Sequence, residues 1–253
     1  MARQIFLPVR KLAELPYSNI LGFPKANKRQ LRSRIKELQK LKINGVCFEG
    51  SSLIGKLRVL GKGYVGIVVL AKQNQSIVAL KIRRTDSQRD GMKEEAKLLE
   101  LANKVKTGPK VIKSSKNFLV MEYLSGEKIF DWIKQLKGKG STMRLKKTVR
   151  KILEDCYKLD QLGLDHGELS SISKHVIIGK KTTLIDFESS SIDRRVSNVT
   201  AASQAIFIGS GISNMVKKIY KIPPKIKIIE VLRTYKYEPT RESFDNILQV
   251  LRL

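Results

Sequence analysis

The segment GKGYVGIV, residues 61–68, constrains the fold of this chain more than any other feature of its sequence. The β-branched run IVVLA continues from its last glycine, and SIVALKI follows, carrying Lys81. A Gly-rich turn that opens a helix is typical of dinucleotide binding, but this turn joins strands. Glycines let the backbone approach phosphates, and a lysine on the third strand can reach the same phosphates. We therefore expect a phosphate-binding strand–turn–strand–strand unit; an ordinary β-hairpin with a strand-end lysine is the alternative.

A helix is predicted next, because TDSQRDGMKEEAKLLELANK begins with capping residues and continues with apolar residues at helical spacing. An advance of about 100° per residue places Glu95 near the centre of the apolar face, with Glu94 and Glu100 toward its flanks. A carboxylate turned inward needs a cation. We predict that Glu95 pairs with Lys81; a solvated Glu95 is the alternative.

The second informative segment is LDHGELSSISKHVIIGKKTTLIDFESSS, residues 164–191. The runs VII and TTLI predict a tight hairpin around Gly179, with Glu168 before its start and Asp186 at its end. Such a hairpin can bring the two carboxylates together. One carboxylate near a substrate hydroxyl can orient it or accept its proton, and another can hold Mg²⁺ that bridges phosphates.

These segments resemble the motifs of a kinase family. DHGELSS is similar to the HGDLTTSN-type catalytic loop of the small RIO-like and KEOPS-type kinases, and IDFE is similar to their IDFG magnesium segment. With GKGYVGIV, VALK, EEAKLLELAN, TGPKV and MEYLSG, the resemblance covers residues 53–195 in the same order. The chain is most similar to predicted archaeal Ser/Thr protein kinases with HG(Q/E)LS, KHVII and IDFES segments. The resemblance implies an α+β, two-lobed, protein-kinase-like fold with a minimal C-terminal lobe.

The resemblance also implies roles for single residues. Lys81 would bind phosphate, Glu95 would pair with it, Glu168 would take the catalytic-base position, and Asp186 would bind the metal ion, Mg²⁺ or Mn²⁺. The residues implied in ATP binding are Gly61, Lys62, Gly63, Tyr64, Gly66, Val68, Ala79, Lys81, Met121, Glu122 and Tyr123. The last three would meet the purine edge, although core residues of a strand would have the same pattern.

Three departures from the family pattern affect the predicted chemistry. Glu168 stands where most kinases have Asp, and a displacement of about 1 Å there can lower the rate about 100-fold. The usual Asn is replaced by Ser173, with His175 as an alternative occupant, although neutral imidazole is a poor ligand for Mg²⁺. Glu188 replaces the Gly of the Asp-Phe-Gly segment. The predicted metal ligands are therefore Asp186, Ser173, His175 and Glu188.

The remaining histidine and the cysteines favour structural roles. His166 is expected to pack and hydrogen-bond under the metal segment, as its equivalent does in the resembling family, rather than to act as a base. Cys47 and Cys156 lie too far apart for a metal-ligand spacing and are too few for a disulfide framework. We expect both cysteines to be reduced core residues.

The charge of the chain points to polyanionic partners. It has 50 Lys and Arg against 23 Asp and Glu, a net charge of +27. RNA or a ribonucleoprotein is the indicated partner class, and a solvated basic surface is the alternative. The segment from Asn27 to Leu41 predicts an amphipathic basic helix, and Lys134 to Lys151 holds eight basic residues and no acid.

The pattern and the resemblance together imply three segments. Residues 1–52 would form a basic helical extension with a wing-like strand, residues 53–124 the N-terminal kinase lobe, and residues 125–253 a reduced C-terminal lobe. No apolar run approaches the ~18 residues of a membrane span, and the N-terminus lacks a secretory signal pattern. We expect a cytoplasmic protein that does not bind membranes.

The sequence thus predicts an ATP- and Mg²⁺-dependent atypical serine/threonine kinase. It would transfer phosphate to a protein, to itself, or to water as an ATPase switch. Two alternatives stay open. One is a catalytically weak, kinase-like scaffold that binds nucleotide and docks on RNA or a ribonucleoprotein, and the other is a small-molecule phosphotransferase. The sequence does not identify the protein substrate.

Overall fold

The structure is a computed structural model and describes residues 4–209 and 211–253. The chain divides into two units. The first extends to Glu100 and includes Pro109–Leu124; the second holds Leu101–Gly108 and Ser125–Leu253. Both units contain helices and strands, and every strand pair between named strands is antiparallel. The predicted α+β class is confirmed, while the boundary predicted at residue 52 stays a prediction.

A seven-stranded sheet forms the basis of the first unit. The strands of this unit are β1 (Leu7–Pro8), β2 (Ile43–Cys47), β3 (Ser52–Ile54), β4 (Leu57–Val59), β5 (Gly61–Lys62), β6 (Gly66–Gln73), β7 (Ser76–Arg83), β8 (Val111–Ser114) and β9 (Phe118–Glu122). The sheet order is β1-β2-β6-β7-β9-β8, with β5 paired to β6, and β3 and β4 form a separate hairpin. The predicted strand–turn–strand–strand unit is present as β5, β6 and β7.

The two faces of this sheet differ. Side chains of β6, β7 and β9 that belong to the main core of the unit are Ile67, Val69, Ala71, Val78, Leu80, Ile82, Phe118 and Val120. Between them in sequence, Val68 lies opposite Lys81, and Ala79 lies opposite Met121. Because successive side chains of a strand point to opposite faces, these four predicted nucleotide-binding residues share the face away from that core.

Three helices of the first unit contribute to this core: a 3₁₀ helix (Val9–Ala13), α1 (Ser18–Leu21) and α2 (Lys28–Lys40). A further helix, α3 (Lys93–Lys104), begins in the first unit and ends in the segment assigned to the second. A capping box fixes the start of α2: the Asn27 side chain accepts from the Gln30 N–H, and the Gln30 side chain accepts from the Asn27 N–H. Helix α2 contributes the buried side chain of Leu38 to the core. The predicted amphipathic helix is confirmed, and β2, predicted as a wing-like strand, pairs with β6.

The second unit is mainly helical. Its elements are β10 (Gly126–Lys128), α4 (Ile129–Gln135), α5 (Ser141–Gln161), α6 (Ile172–His175), β11 (Val176–Gly179), β12 (Thr182–Leu184), α7 (Asn198–Phe207), α8 (Ile212–Ile219), α9 (Lys225–Tyr237) and α10 (Arg241–Val250). The predicted hairpin around Gly179 is present as β11 and β12, and β10 adds a third strand.

Aromatic residues of the second unit have defined neighbours. Trp132, the chain's single tryptophan, lies on α4 with the Arg144 guanidinium 5.9 Å from its ring centroid. The Tyr220 hydroxyl donates a hydrogen bond of 2.7 Å to the carbonyl oxygen of Leu251. Burial raises the pKa of Tyr220 to about 12. The phenol of Tyr220 is therefore held in its neutral, donating form.

Two sequence expectations about the chain as a whole can be checked. Cys47 and Cys156 are free and buried, as predicted. Among the helices of residues 4–209 and 211–253, none combines the length and the apolar character that crossing a bilayer requires.

Candidate functional site

The Gly-rich turn between β5 and β6 lies next to the side chain of Lys81. The Gly63 N–H donates to the Gly66 carbonyl oxygen at 2.8 Å, and Tyr64 at the tip is 91% exposed. A Cβ at Gly66 would lie 2.8 Å from the Ile82 carbonyl oxygen and 3.0 Å from Cγ of Lys81. Only glycine at this position leaves the side chain of Lys81 room to pass.

The predicted pair between Lys81 and Glu95 is confirmed. Lys81 Nζ lies 2.7 Å from Glu95 Oε1, and the two side chains are 3% and 4% exposed. Glu94 and Glu100 are exposed on the same helix, as the helical spacing predicts. Removing one partner of an ion pair buried to this extent strongly destabilises the folded protein, because the other charge stays in a poorly solvated environment. The pair therefore fixes an ammonium group on the sheet face that carries Val68.

Other residues predicted to bind nucleotide have defined neighbours. Lys62 Nζ forms a cation–π contact with Phe23, 4.9 Å from the ring centroid. The Glu122 N–H donates to the Lys110 carbonyl oxygen at 2.8 Å, which ties the end of β9 to the chain before β8. The segment Met121 to Tyr123 is partly buried throughout. Its role at a purine edge stays a prediction.

In the second unit, the β11–β12 hairpin brings Glu168, His175 and Asp186 together. One ligand atom from each of the three lies within 4.8 Å of the others. Asp186 adopts φ +69°, a left-handed conformation that is uncommon outside glycine. Ser173 lies on α6, two residues before His175, and the buried Glu188 is outside this group of three. The expected approach of the two carboxylates is confirmed, with His175 as the third member.

Both carboxylate oxygens of Glu168 have partners. Oε1 accepts a hydrogen bond from the Ser189 hydroxyl, and Oε2 lies 3.0 Å from Nε2 of His175. The Glu168 side chain is 32% exposed, whereas that of His175 is 6% exposed. Nδ1 of His175 is buried with no hydrogen-bonding partner among the described residues, so a proton on Nε2 gives the ring its hydrogen bond. Glu168 is therefore held in place while one side stays accessible.

His166 has the structural role that the sequence predicted. Its Nε2 lies 3.1 Å from the carbonyl oxygen of Ile185, and its ring centroid is 4.8 Å from that of Phe187. Burial, with a smaller effect of the neighbouring His175, lowers the pKa of His166 to about 4. The ring is neutral at physiological pH and supports the backbone next to Asp186.

The loop before Glu168 is fixed by the chain that follows the hairpin. Asp165 accepts hydrogen bonds from the N–H and hydroxyl of Ser197 and pairs with Arg194 at 3.0 Å. Gly167 has φ +85°, and a Cβ there would lie 2.5 Å from Nη2 of Arg194 and 2.6 Å from the carbonyl oxygen of Ser189. The HGE turn therefore requires glycine both for its conformation and for space.

A buried carboxylate, Asp160 at the end of α5, organises the start of α7. It accepts from the N–H and side-chain amide of Asn198, from the Val199 N–H and from the Tyr235 hydroxyl, at 2.8 to 3.2 Å. Asn198 in turn accepts from the His166 N–H at 2.8 Å. Burial raises the pKa of Asp160 and outweighs these hydrogen bonds. The network anchors the loop that carries Glu168.

Sequence reasoning missed Ser189 and Asp160. The only signal for Ser189 is the run of serines after Glu188. Asp160 had a clearer signal, because it lies on the buried side of α5 with Cys156 and Leu159, as Glu95 does on α3. A carboxylate at such a position requires donors.

The donor set fits a divalent cation. The carboxylates of Glu168 and Asp186 are the oxygen ligands that Mg²⁺ and Mn²⁺ use, whereas the imidazole of His175 is typical of softer transition-metal ions. His175 is also the hydrogen-bonding partner of Glu168. The residues therefore suit an ion held mainly by carboxylates, with His175 either as a ligand or as the group that orients Glu168.

Comparisons with known proteins give one informative relative. No protein-family model matches the chain. Uncharacterized protein MJ1211 of Methanocaldococcus jannaschii is 32% identical over 118 residues. The aligned part covers 46% of this chain and 98% of the relative. The name of the relative states no function, so a functional conclusion depends on the residues of the site.

Proposed function

The chain belongs to the same family as Uncharacterized protein MJ1211 of Methanocaldococcus jannaschii, and we propose that it is an ATP- and metal-dependent atypical serine/threonine kinase. The proposal includes a two-lobed protein-kinase-like fold of the small RIO-like or KEOPS-type kind. The observation that carries it is the buried pair of Lys81 with Glu95, on a sheet face next to a Gly-rich turn. In kinases a lysine held in this way binds phosphate oxygens of ATP.

The cluster in the second unit supplies the other chemical groups that the proposal needs. A serine or threonine oxygen would bond to the γ-phosphorus of ATP as the bond from that phosphorus to the bridging β–γ oxygen breaks. ADP would leave with the electron pair, and the hydroxyl proton would pass to the carboxylate of Glu168. A divalent ion held at Asp186 would offset the charge of the phosphates.

A specific observation favours a second candidate, a nucleotide-binding scaffold with little or no transfer. Both oxygens of Glu168 already accept hydrogen bonds or lie in hydrogen-bonding distance of a donor. A substrate hydroxyl would therefore have to displace the Ser189 hydroxyl or the His175 imidazole before it could pass its proton to Glu168. Such a protein would bind ATP with its metal ion and release it unchanged.

The deciding experiment is transfer from γ-labelled ATP with Mg²⁺ or Mn²⁺, with labelled protein, labelled small molecules and free phosphate resolved from one another. We expect label on protein, and we expect its loss in Lys81→Ala and in Asp186→Asn. Matched controls are Lys72→Ala, an exposed lysine on β6, and Asp193→Asn, an exposed aspartate. Both controls should keep the wild-type rate.

The other outcomes are distinct. ATP binding without any labelled product would favour the scaffold, and free phosphate alone would indicate an ATPase switch. Label on a metabolite would indicate a small-molecule phosphotransferase. Wild-type transfer in Lys81→Ala or Asp186→Asn would contradict the assignment of the site.

A further inference from the structure

The outer face of α2 carries cations and no acid. Its exposed charged residues are Lys28, Arg29, Arg32, Lys36 and Lys40. We call these five residues the α2 cation row. Four of them recur at every fourth position, so neighbours are separated by ~6 Å along the helix axis and the row extends over ~18 Å. All five lie within an arc of ~120° around the helix.

The other two charged residues of α2 are turned toward the protein. Arg34 is 3% exposed and donates to the Leu21 carbonyl oxygen at 2.5 Å. The carboxylate of Glu37 accepts from the N–H and the side-chain amide of Asn117 at 2.8 and 2.7 Å. Glu37, the helix's single acid, is therefore engaged away from the row. Within the described residues, no member of the row forms an ion pair.

This arrangement is unfavourable for the free helix, because like charges four residues apart repel each other. A polyanion would relieve the repulsion. The exposed face of an ordinary surface helix usually carries charges of both signs, whereas the exposed face of α2 carries only positive ones. The row is thus better explained by an anionic partner than by solubility.

The surroundings of the row restrict the kind of partner. The apolar residues of α2, including Leu31, Ile35 and Leu38, pack in the core, so they are not free to enter a bilayer. The exposed face has no aromatic or apolar side chain that could anchor a protein partner. Evenly spaced cations without such anchors match the regular phosphates of a nucleic-acid backbone.

We propose that the α2 cation row binds single-stranded RNA through its phosphates, without sequence preference. A single row matches one backbone, whereas contacts to a duplex usually need cations on both sides of a groove. Most single-stranded nucleic acid in a cell is RNA, which decides between the two backbones. The proposal is independent of the kinase assignment, because it uses no residue of the Lys81 or Asp186 sites.

The test is the salt dependence of binding to a fluorescein-labelled oligouridylate, followed by anisotropy over a series of KCl concentrations. For four or five phosphate contacts, the logarithm of the binding constant should fall against the logarithm of salt with a slope of about −3. The triple variant Arg32→Gln, Lys36→Gln, Lys40→Gln should make this slope less negative by about 2 and weaken binding at low salt at least ~10-fold. Glutamine keeps helix propensity close to that of lysine.

The matched control removes the same charges from an exposed helix of the second unit. It is Lys225→Gln, Lys227→Gln, Arg233→Gln on α9. We expect the wild-type slope in this control, and circular dichroism melting should show both triple variants folded. Equal weakening in both variants would mean that overall net charge alone attracts RNA and would overturn the proposal. A flat wild-type slope would overturn it too. So would an α2 triple variant that loses binding to phosphatidylserine vesicles but keeps its RNA binding unchanged.

Discussion

The two candidate clusters hold their charged groups by different means. In the first unit, Lys81 and Glu95 form an ion pair between two nearly inaccessible side chains on a rigid sheet and helix. In the second unit, Asp160 is surrounded by neutral donors from two helices, and Glu168 has a hydroxyl and an imidazole as partners. Removing either member abolishes an ion pair. Removing one of several neutral donors takes away only part of the stabilisation of a carboxylate. One substitution in the Lys81–Glu95 pair should therefore lower stability strongly, whereas single substitutions around Asp160 and Glu168 should each lower it less.

The largest effect is expected from Glu95→Ala. Removing this carboxylate breaks a buried ion pair and leaves the ammonium of Lys81 in a poorly solvated position, which should lower the free energy of unfolding by about 3–5 kcal/mol. Phosphate transfer should also disappear, because Lys81 loses its position. Urea denaturation measures the first effect and the labelled-ATP assay the second.

Glu94→Ala is the control, since Glu94 is exposed on the same helix. It should change stability by less than about 0.5 kcal/mol. A Glu95→Ala variant as stable as this control would contradict the view that the Lys81–Glu95 pair stabilises the first unit.

A smaller effect is expected from Tyr235→Phe. It removes one of the donors to Asp160 and leaves those from Asn198 and Val199. A hydrogen bond to a charged group contributes about 2 kcal/mol, so the free energy of unfolding should fall by about that amount. The measurement is chemical denaturation at neutral pH.

Tyr157→Phe removes the same atom from a neighbouring tyrosine whose ring contacts Tyr235. Its effect should be close to zero. If Tyr235→Phe unfolded the second unit outright, the support of Asp160 would not be shared, and the contrast between the clusters would be lost.

The smallest effect is a pH dependence at Tyr220, whose burial raises its pKa to about 12. The unfolded phenol titrates near 10, so the stability from Tyr220 is complete below pH 10 and is lost as the pH rises through 12. Between pH 9 and 11 the stability advantage of wild type over Tyr220→Phe should shrink by about 1 kcal/mol. Denaturation curves at both pH values give this difference.

Tyr237→Phe serves as the reference, because Tyr237 is 79% exposed. Its difference from wild type should not change with pH. An advantage of wild type over Tyr220→Phe that stayed constant from pH 9 to 11 would show that the phenol is not held in its neutral form.

Periodicity explains which parts of the molecule were predictable. The strands around the Gly-rich turn, the helix α3 and the β11–β12 hairpin follow directly from alternating or helical spacing of apolar residues. The same spacing places Glu95 inward, and its pairing with Lys81 follows from the need of a buried carboxylate for a cation. Asp160 obeyed the same rule and could have been found by it.

Other features have no periodic signal. The contact of Ser189 with Glu168 joins two irregular segments, and their approach depends on how the whole hairpin packs. Arg34 looked like a solvated cation among many, but its long side chain reaches a backbone carbonyl oxygen at the edge of the core. Charge alone does not predict such inward reach, because it depends on which acceptors the fold leaves unpaired.

Trp132 makes the second unit optically distinct. Since this is the only indole in the chain and it lies on α4, tryptophan emission reports that unit alone, while far-ultraviolet dichroism sums over all helices and strands. A stability change in the sheet around Lys81 can thus be distinguished from one near Asp160 with the unlabelled protein, by comparing the two signals in one denaturation curve. No dye or added fluorophore is needed for this separation.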